Sequence, residues 1–149
     1  MNWNIKAFDD LTAAELYDIM VLRAEVFVVE QECAYQDPDG DDPKAIHLWA
    51  ANEQGQTLAY CRIFPPNIKC PEVSIGRVVS SPSVRRTGLG RECFRRSVDY
   101  ADSLWPQVDQ FIHAQTYLVP FYSSFGYEVV GEPFLEDGLP HRYMKRVKN

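Results

Sequence analysis

Hydrophobic and polar residues alternate along the first half of the chain in patterns that predict three strands and one helix. Strands are predicted at 2–8, 46–51 and 57–64. Thr12 and Glu15 match the S/T-x-x-E capping box, and apolar residues follow at helical spacing, so a helix should begin there. The β-branched run 26–29 predicts a bend or break in that helix. Residues 32–45 are rich in Asp, Pro and Gly and predict a loop.

The second half predicts four more strands and two more helices. The strands are expected at 73–80, 111–114, 127–130 and 142–147. The helices are expected at 88–105 and 118–125. Gly76 suggests a bulge, Pro106 ends the first of these helices, and Gly126 ends the second. The pattern predicts one α+β domain over residues 1–149 with a mixed sheet.

Composition narrows the functional classes. The chain has 149 residues and a formal charge of −6, which argues against a general nucleic-acid binder. Its longest apolar runs fall short of the ~20 residues that a membrane span needs, and the N-terminal residues do not resemble a secretory signal. Four scattered cysteines fit no zinc-binding spacing, so we expect reduced thiols in a cytoplasmic protein without a metal. They are Cys33, Cys61, Cys70 and Cys93.

The turn at 85–91, between a predicted strand and a predicted helix, carries the strongest functional signal. Gly88 and Gly90 allow a tight bend that brings backbone N–H groups close to a ligand, and the helix N-terminus adds a positive dipole end. Five of the 15 basic residues fall within 12 positions, at Arg85, Arg86, Arg91, Arg95 and Arg96. The spacing matches neither a P-loop nor a dinucleotide fingerprint. We interpret the turn as a phosphate or pyrophosphate site; the alternative is a glycine-rich helix start with solvated arginines.

Residues 80–90 resemble the acetyl-CoA signature of the GNAT N-acetyltransferases, which ends in Arg/Gln-x-x-Gly-x-Gly/Ala. Further motifs, in the same order, resemble the ElaA-like branch of that family. They are Leu22-Arg23, 26–31, Tyr35-Gln36, Asp39-Gly40-Asp41, 75–79, 136–138 and Pro140-His141. The resemblance spans most of the chain. It implies a GNAT-like acyl-CoA N-acyltransferase fold, layered α/β/α, whose mixed and mostly antiparallel sheet is splayed between its fourth and fifth strands.

The resemblance also implies that acetyl-CoA is the co-substrate and that it lies in the opening of the sheet. Backbone groups of strand four would bond the pantetheine arm, and amides of residues 86–90 would hold the pyrophosphate. The implied binding set is Val78, Val79, Ser80, Arg85, Arg86, Thr87, Gly88, Leu89, Gly90, Arg91 and Gln115. Arg86 stands where many relatives have Gly, and Gln115 stands where many have a CoA-contacting Asn.

The chemistry implied is acetyl transfer to a primary amine by direct attack in a ternary complex. Tyr122 matches the family's general-acid tyrosine, although its periodicity alone favours a core aromatic. A backbone N–H near Val78 is a candidate donor to the oxyanion. His113 is a candidate general base, with a hydrogen-bonded sheet histidine as an equal alternative. The spacing of His47, His113 and His141 does not support a metal site.

The region between Arg23 and Lys44 is strongly acidic. It carries Glu25, Glu30, Glu32, Asp37, Asp39, Asp41 and Asp42 and no basic residue. In the family this region flanks the acceptor site, which makes the substrate-side candidates Arg23, Gln31, Asp39, His47 and His141. An acidic wall would attract cationic amines such as a polyamine, an amino sugar or a peptide amine. The alternative is a solvated acidic loop.

Three classes of function stay open from the sequence. The first is an active N-acetyltransferase acting on a small-molecule or peptide amine. The second is a CoA-binding sensor or interaction module without catalysis. The third is the same fold with no CoA role, because a fold does not by itself specify a function. We expect neither nucleic acid nor a membrane as partner, and family members often pair, which leaves a homodimer open.

Overall fold

The computed structural model describes residues 1–148, with seven strands and three α-helices in that range. The strands are β1 Asn2–Ala7, β2 Ile46–Ala51, β3 Thr57–Phe64, β4 Ser74–Ser80, β5 Gln110–Gln115, β6 Glu128–Glu136 and β7 Leu139–Arg146. The helices are α1 Ala13–Arg23, α2 Leu89–Leu104 and α3 Val119–Ser123. No helix in this range is both long enough and apolar enough to cross a bilayer.

The strands form two antiparallel sheets that touch at one point. The first has the order β1-β2-β3-β4 and the second β5-β7-β6. At the contact, the N–H of Val73 donates to Asp109 O at 3.0 Å and the N–H of Phe111 donates to Val73 O at 2.8 Å, in parallel orientation. Past this contact β4 and β5 no longer pair, and a cleft opens between them. The expected splay between the fourth and fifth strands is therefore confirmed.

Helices cover both faces of the first sheet because its strands alternate apolar side chains between the faces. Ile19 and Leu22 of α1 pack on Trp49 and Tyr60. On the opposite face, α2 packs Cys93, Phe94, Val98 and Ala101 against a cluster that includes Leu48, Ala50, Cys61 and Ile63. This arrangement confirms the expected α/β/α layering.

Helix α1 begins as its sequence predicts, and at the run where a bend or break is predicted the chain is π-helical. The capping box is present, since the N–H of Glu15 donates to Thr12 Oγ1 at 3.1 Å and the N–H of Thr12 donates to Glu15 Oε1 at 2.9 Å. After Arg23 the chain continues as a π-helical segment, Ala24–Glu30. The β-branched residues crowd an ordinary α-helical turn, and the wider π turn accommodates them without ending the helix.

Strand β4 contains the expected bulge, one residue beyond the glycine that suggested it. Gly76 pairs with Arg62 and Val79 pairs with Tyr60, so β4 has one more residue than β3 over this interval. Arg77 occupies the bulge with φ 48°, a left-handed conformation that side chains rarely adopt. The bulge bends β4 locally at the edge of the cleft, while β4 stays paired with β3 on both sides of it.

The two closing strands are longer than the pattern predicted, and they form a hairpin. Strand β6 continues to Glu136 and β7 begins at Leu139. Asp137 and Gly138 make the turn with φ values of 50° and 76°, as a two-residue Asp-Gly hairpin turn requires. The hairpin carries its polar residues to the rim of the cleft. Helix α3 is shorter than expected and follows a 3₁₀ turn at Thr116–Leu118.

Candidate active site

A large cleft of about 500 Å³ lies between the separated ends of β4 and β5. It brings together nine of the eleven residues expected to bind the cofactor. They are Val78, Val79, Ser80, Arg85, Arg86, Gly88, Gly90, Arg91 and Gln115. Thr87 and Leu89 do not line it. Thr87 instead shapes the turn by donating its hydroxyl to Val84 O and accepting from the N–H of Leu89.

The turn that enters α2 needs its glycines for two different reasons. Gly88 has φ 87°, and a Cβ added there would meet no atom within 4 Å, so its requirement is conformational. A Cβ on Gly90 would lie 3.3 Å from Ser80 Oγ, so Gly90 allows a close approach of α2 to β4. Arg86 is also left-handed, at φ 65°, a conformation that glycine adopts without strain. The positive end of a 16-residue helix therefore faces the cleft.

Three of the five clustered arginines line this cleft and two do not. Arg85 forms a two-point ion pair with Glu30 across the cleft, at 2.5 and 2.6 Å. Arg91 donates to Ser124 Oγ at 2.9 Å and lies over the ring of Phe125. Arg95 and Arg96 bind Glu92 on the solvent side of α2 and are not in the cleft lining. The expected concentration of basic groups at the turn therefore reduces to Arg85, Arg86 and Arg91.

An inner cavity of about 100 Å³ adjoins the large cleft. The two share a wall made of Phe27, Gln31, Val78, Gln115, Leu118 and Tyr122. The inner cavity continues to Tyr35, Arg77, His113, Glu136 and His141. An outer cavity of about 410 Å³ shares Tyr35, Arg77, His113 and Glu136 with it and adds Asp39. The three spaces are therefore adjacent, in a row from the glycine turn to the β6–β7 hairpin.

Tyr122 lies at the junction of the cleft and the inner cavity. It is only 6% exposed and packs edge-on against Phe94, with ring centroids 5.1 Å apart. Burial raises the pKa of the Tyr122 phenol. Tyr122 therefore keeps its proton at neutral pH and can act as a hydrogen-bond donor. It is both a core aromatic and a cleft residue, so the two sequence interpretations do not exclude each other.

His113 and His141 contact the same carboxylate in the inner cavity. His113 Nδ1 is 2.9 Å from Glu136 Oε1, and His141 Nε2 is 3.6 Å from Glu136 Oε2. The other ring nitrogen of His141 is 2.8 Å from Leu139 O. The hydrogen bond from His113 holds the pKa of Glu136 below its usual value. His113 is half exposed, so its ring reaches both the cavity and solvent.

Arg23 and His47 are fully buried and line none of the three spaces. Arg23 binds Asp37 and Asp42 at 2.8 Å each. His47 Nδ1 is 2.6 Å from the Tyr60 hydroxyl, and burial lowers the pKa of the ring. The structure therefore separates these two residues from the other substrate-side candidates and places them inside the fold.

Most carboxylates of the acidic loop form ion pairs with basic residues of this chain. Asp39 lines the outer cavity, but Arg62 binds it at 2.6 and 3.0 Å and Arg77 lies 3.4 Å away. Arg77 also pairs with Asp37 at 2.9 Å. Five of the seven acidic residues are paired in this way, namely Glu30, Asp37, Asp39, Asp41 and Asp42. These ion pairs therefore neutralise most of the negative charge of the loop.

Several cavity residues were not singled out as site residues from the sequence. Phe27, Tyr35 and Glu136 fell within motifs but had no assigned role, and Leu118 was interpreted only as a helix position. The Asp137-Gly138 pair was a usable signal, because an Asp-Gly turn predicts a hairpin that brings Glu136 to the rim. Within residues 1–148, no group of three or more His, Cys, Asp or Glu side chains is placed to hold a metal ion.

The matched domain and the solved relatives define the class of protein. A family model described as an acetyltransferase (GNAT) domain matches residues 11–148, and the chain belongs to this family. It is similar to the protein ElaA of Escherichia coli, with 36% identity over 150 residues that cover 98% of this chain and 96% of that protein. The crystal structure of E. coli ElaA superposes with a TM-score of 0.90 at 35% identity, over 97% of this chain and 98% of that one.

A second solved structure agrees with the first. The crystal structure of an acyl-CoA N-acyltransferase from Pseudomonas aeruginosa has a TM-score of 0.93 and 42% identity, and covers 99% of this chain and 100% of that one. These matches confirm the fold expected from the sequence, the resemblance to the ElaA-like branch, and the assignment as an N-acetyltransferase.

Proposed function

We propose that this protein transfers an acetyl group from acetyl-CoA to a primary amine by direct attack within a ternary complex. The observation that carries the proposal is the shared wall between the large cleft and the inner cavity, with Tyr122 in it. A thioester entering from the cleft would meet an amine entering from the cavity at this wall. Because the two substrates would meet directly at this wall, the transfer needs no covalent enzyme intermediate.

The large cleft has the chemistry to bind CoA. The edge of β4 beside Val78, Val79 and Ser80 faces the cleft where β5 has separated, so an extended amide-bearing chain can add to it like a strand. The first backbone N–H groups of α2 have no carbonyl partner within the helix and suit a pyrophosphate, and a Cβ at Gly88 would meet no atom within 4 Å. Arg85, Arg86 and Arg91 would offset the phosphate charge.

Each step of the transfer has a residue at the wall or in the inner cavity. His113 takes a proton from the ammonium form of the acceptor, which leaves the amine lone pair free to attack the thioester carbon. A backbone N–H near Val78 binds the oxyanion as the C–N bond forms. The C–S bond then breaks, Tyr122 donates its proton to the departing thiolate, and the excess proton left on the new amide nitrogen returns to the Tyr122 phenolate. The proton on His113 is lost to solvent through the exposed part of its ring.

The acceptor we propose is a small-molecule or peptide amine with one cationic head. Because most of the acidic loop is paired internally, the structure gives no support to a polycation held by that loop. Gln31 and His141 line the inner cavity and Asp39 the outer one, so these three remain as substrate-side residues. A cytoplasmic setting stays a prediction from the sequence. The homodimer stays a prediction.

Calorimetric titration with acetyl-CoA, CoA and NAD tests the first half of the proposal. We expect acetyl-CoA and CoA to bind and NAD not to bind. A screen of spermidine, glucosamine and a peptide amine, read by release of free CoA thiol, then tests catalysis. Absence of acetyl-CoA binding would refute the proposed function.

The Tyr122→Phe variant separates an enzyme from a CoA-binding sensor. It should lower kcat by about a hundredfold, the lower range for a lost general acid, and leave the acetyl-CoA Kd unchanged. Tyr17→Phe is the control, because Tyr17 is 71% exposed on α1 and lines none of the three spaces. Equal turnover in both variants would remove Tyr122 from the mechanism.

A further inference from the structure

Glu136 stands between two histidines in the inner cavity and has no assigned role in the transfer. Its two carboxylate oxygens face different rings, Oε1 facing His113 at 2.9 Å and Oε2 facing His141 at 3.6 Å. The three residues come from three neighbouring strands of the second sheet, β6, β5 and β7 respectively. We propose that Glu136 is a positioning residue that fixes the tautomer of His113 for proton abstraction.

The hydrogen bond determines which ring nitrogen carries the proton. An ionised carboxylate only accepts hydrogen bonds, so the partner nitrogen, Nδ1 of His113, must be the donor. A neutral imidazole has one N–H, and Nε2 of His113 is therefore left with a bare lone pair. That lone pair is the site that can take a proton from an ammonium. Without the carboxylate, the proton is free to sit on Nε2 and block it.

The surroundings keep the His113 ring in this orientation. Tyr143 and Phe134 pack edge-on against it with centroids 4.9 and 5.7 Å away, and Phe111 packs on it at 5.7 Å. The hydrogen bond between His113 Nδ1 and Glu136 then selects between the two tautomers of the His113 ring. Glu136 keeps its negative charge because the His113 hydrogen bond lowers its pKa.

The carboxylate also stabilises the product of proton abstraction. Once Nε2 has taken the proton, His113 is an imidazolium, and Glu136 lies against its Nδ1–H as a counter-ion. His141 lies on the other side of the same carboxylate, with its Nε2 3.6 Å from Oε2. Leu139 O lies beside His141 Nδ1, so a carbonyl that can only accept fixes Nδ1 as the donor, and Nε2 faces Glu136 as an acceptor in the neutral ring. Neutral His141 therefore does not compete with His113 for the carboxylate as a donor.

Nuclear magnetic resonance of ¹⁵N-labelled protein tests the inference without an acceptor. The chain has three histidines, and a His113→Asn spectrum assigns the relevant ring. In the wild type above neutral pH, we expect the His113 proton on Nδ1. In Glu136→Ala we expect a large part of the population to move to the Nε2–H form. Glu132→Gln, also on β6 but outside the three spaces, should leave the ring signals unchanged.

Kinetics test whether the tautomer matters for the transfer. With acetyl-CoA and an amine that turns over, Glu136→Ala should lower kcat by ten- to a hundredfold and leave the acetyl-CoA KM unchanged, because Glu136 does not line the large cleft. Glu132→Gln should retain wild-type kcat. A His113 proton on Nε2 in the wild type, or the same tautomer in wild type and Glu136→Ala, would overturn the inference.

The inference rests on the proposed function, but the two fail in different ways. If no acetyl-CoA binding is found, the proposed function fails whatever the ring spectra show. If acetyl-CoA binds and amines turn over while Glu136→Ala keeps full kcat, the function stands and the positioning role is wrong.

Discussion

Asp42 is the shared carboxylate of a buried ion cluster beneath the cavities. Its Oδ1 accepts from Arg23 Nη1 at 2.8 Å and from Arg62 Nη1 at 2.9 Å. The side chains of all three residues are at most 6% exposed. Burial alone would raise the pKa of Asp42, but the hydrogen bonds and charges of the two arginines outweigh it and hold the pKa below its usual value.

Asp42→Asn removes the shared charge and keeps the shape. Removal of one partner from a buried ion pair costs about 3–5 kcal/mol. Each arginine retains a second carboxylate, Asp37 for Arg23 and Asp39 for Arg62, so we expect about 3 kcal/mol, the lower end of that range. Because the folded-state pKa of Asp42 is lowered, this contribution is full at pH 7 and declines once the pH falls below about 4, where an unfolded Asp protonates.

Urea unfolding followed by tryptophan fluorescence, to which the buried Trp49 contributes, measures the loss. With a slope of about 2 kcal/mol per molar urea, 3 kcal/mol moves the midpoint down by ~1.5 M. Asp41→Asn is the matched control one position away, because its partner Lys69 is 43% exposed and such pairs contribute less than ~1 kcal/mol. Equal midpoints for the two variants would refute the claim that the buried cluster stabilises the fold.

Two further substitutions test the large cleft. Gly88→Ala should destabilise the fold by about 1 kcal/mol through its left-handed backbone and also weaken CoA binding, whereas Gly55→Ala, at a similar φ of 83° in the β2–β3 turn, should cost the same without changing CoA affinity. Thermal unfolding and calorimetry check both, and unchanged affinity in Gly88→Ala would contradict the pyrophosphate site. Glu30→Gln releases Arg85 and should tighten CoA binding by less than about fivefold at low salt, an effect that high salt abolishes. Weaker binding would mean that Glu30 organises Arg85 instead of competing for it.

Local patterns in the sequence predicted the elements and the glycine turn well. Strands β2 and β3 have the predicted bounds, because their alternating apolar residues are flanked by clear turn signals. Gly88 and Gly90 were located correctly because a strand, a glycine turn and a helix form one contiguous unit whose geometry is local. The bulge in β4 was displaced by one residue, since a glycine signals it but pairing with β3 positions it.

The sequence could not separate polar residues that face the cavity from those that face the interior. The sequence predicts Arg23 and His47 as substrate-side residues, but Arg23 binds Asp37, 14 positions away, and His47 contacts the Tyr60 hydroxyl, 13 positions away, and no local pattern indicates these pairings. Pairing between Arg23 and Asp42, or between Arg62 and Asp39, depends on how the loop folds over β3. Glu136 was missed for the same reason, because its contact with His113 crosses 23 positions.

The buried ion cluster also positions the cavity wall. Arg77 holds a left-handed conformation in the β4 bulge, which is unfavourable for a residue with a side chain. Its guanidinium is fixed by Asp37, which Arg23 and the Tyr35 hydroxyl also bind. Through these bonds the cluster ties the loop that carries Tyr35 to the strand that splays away from β5. The strain at Arg77 is thus offset by its ion pair with Asp37, and Asp37 belongs to the same buried cluster as Asp42. Loss of Asp42 should therefore loosen the inner cavity as well as destabilise the fold.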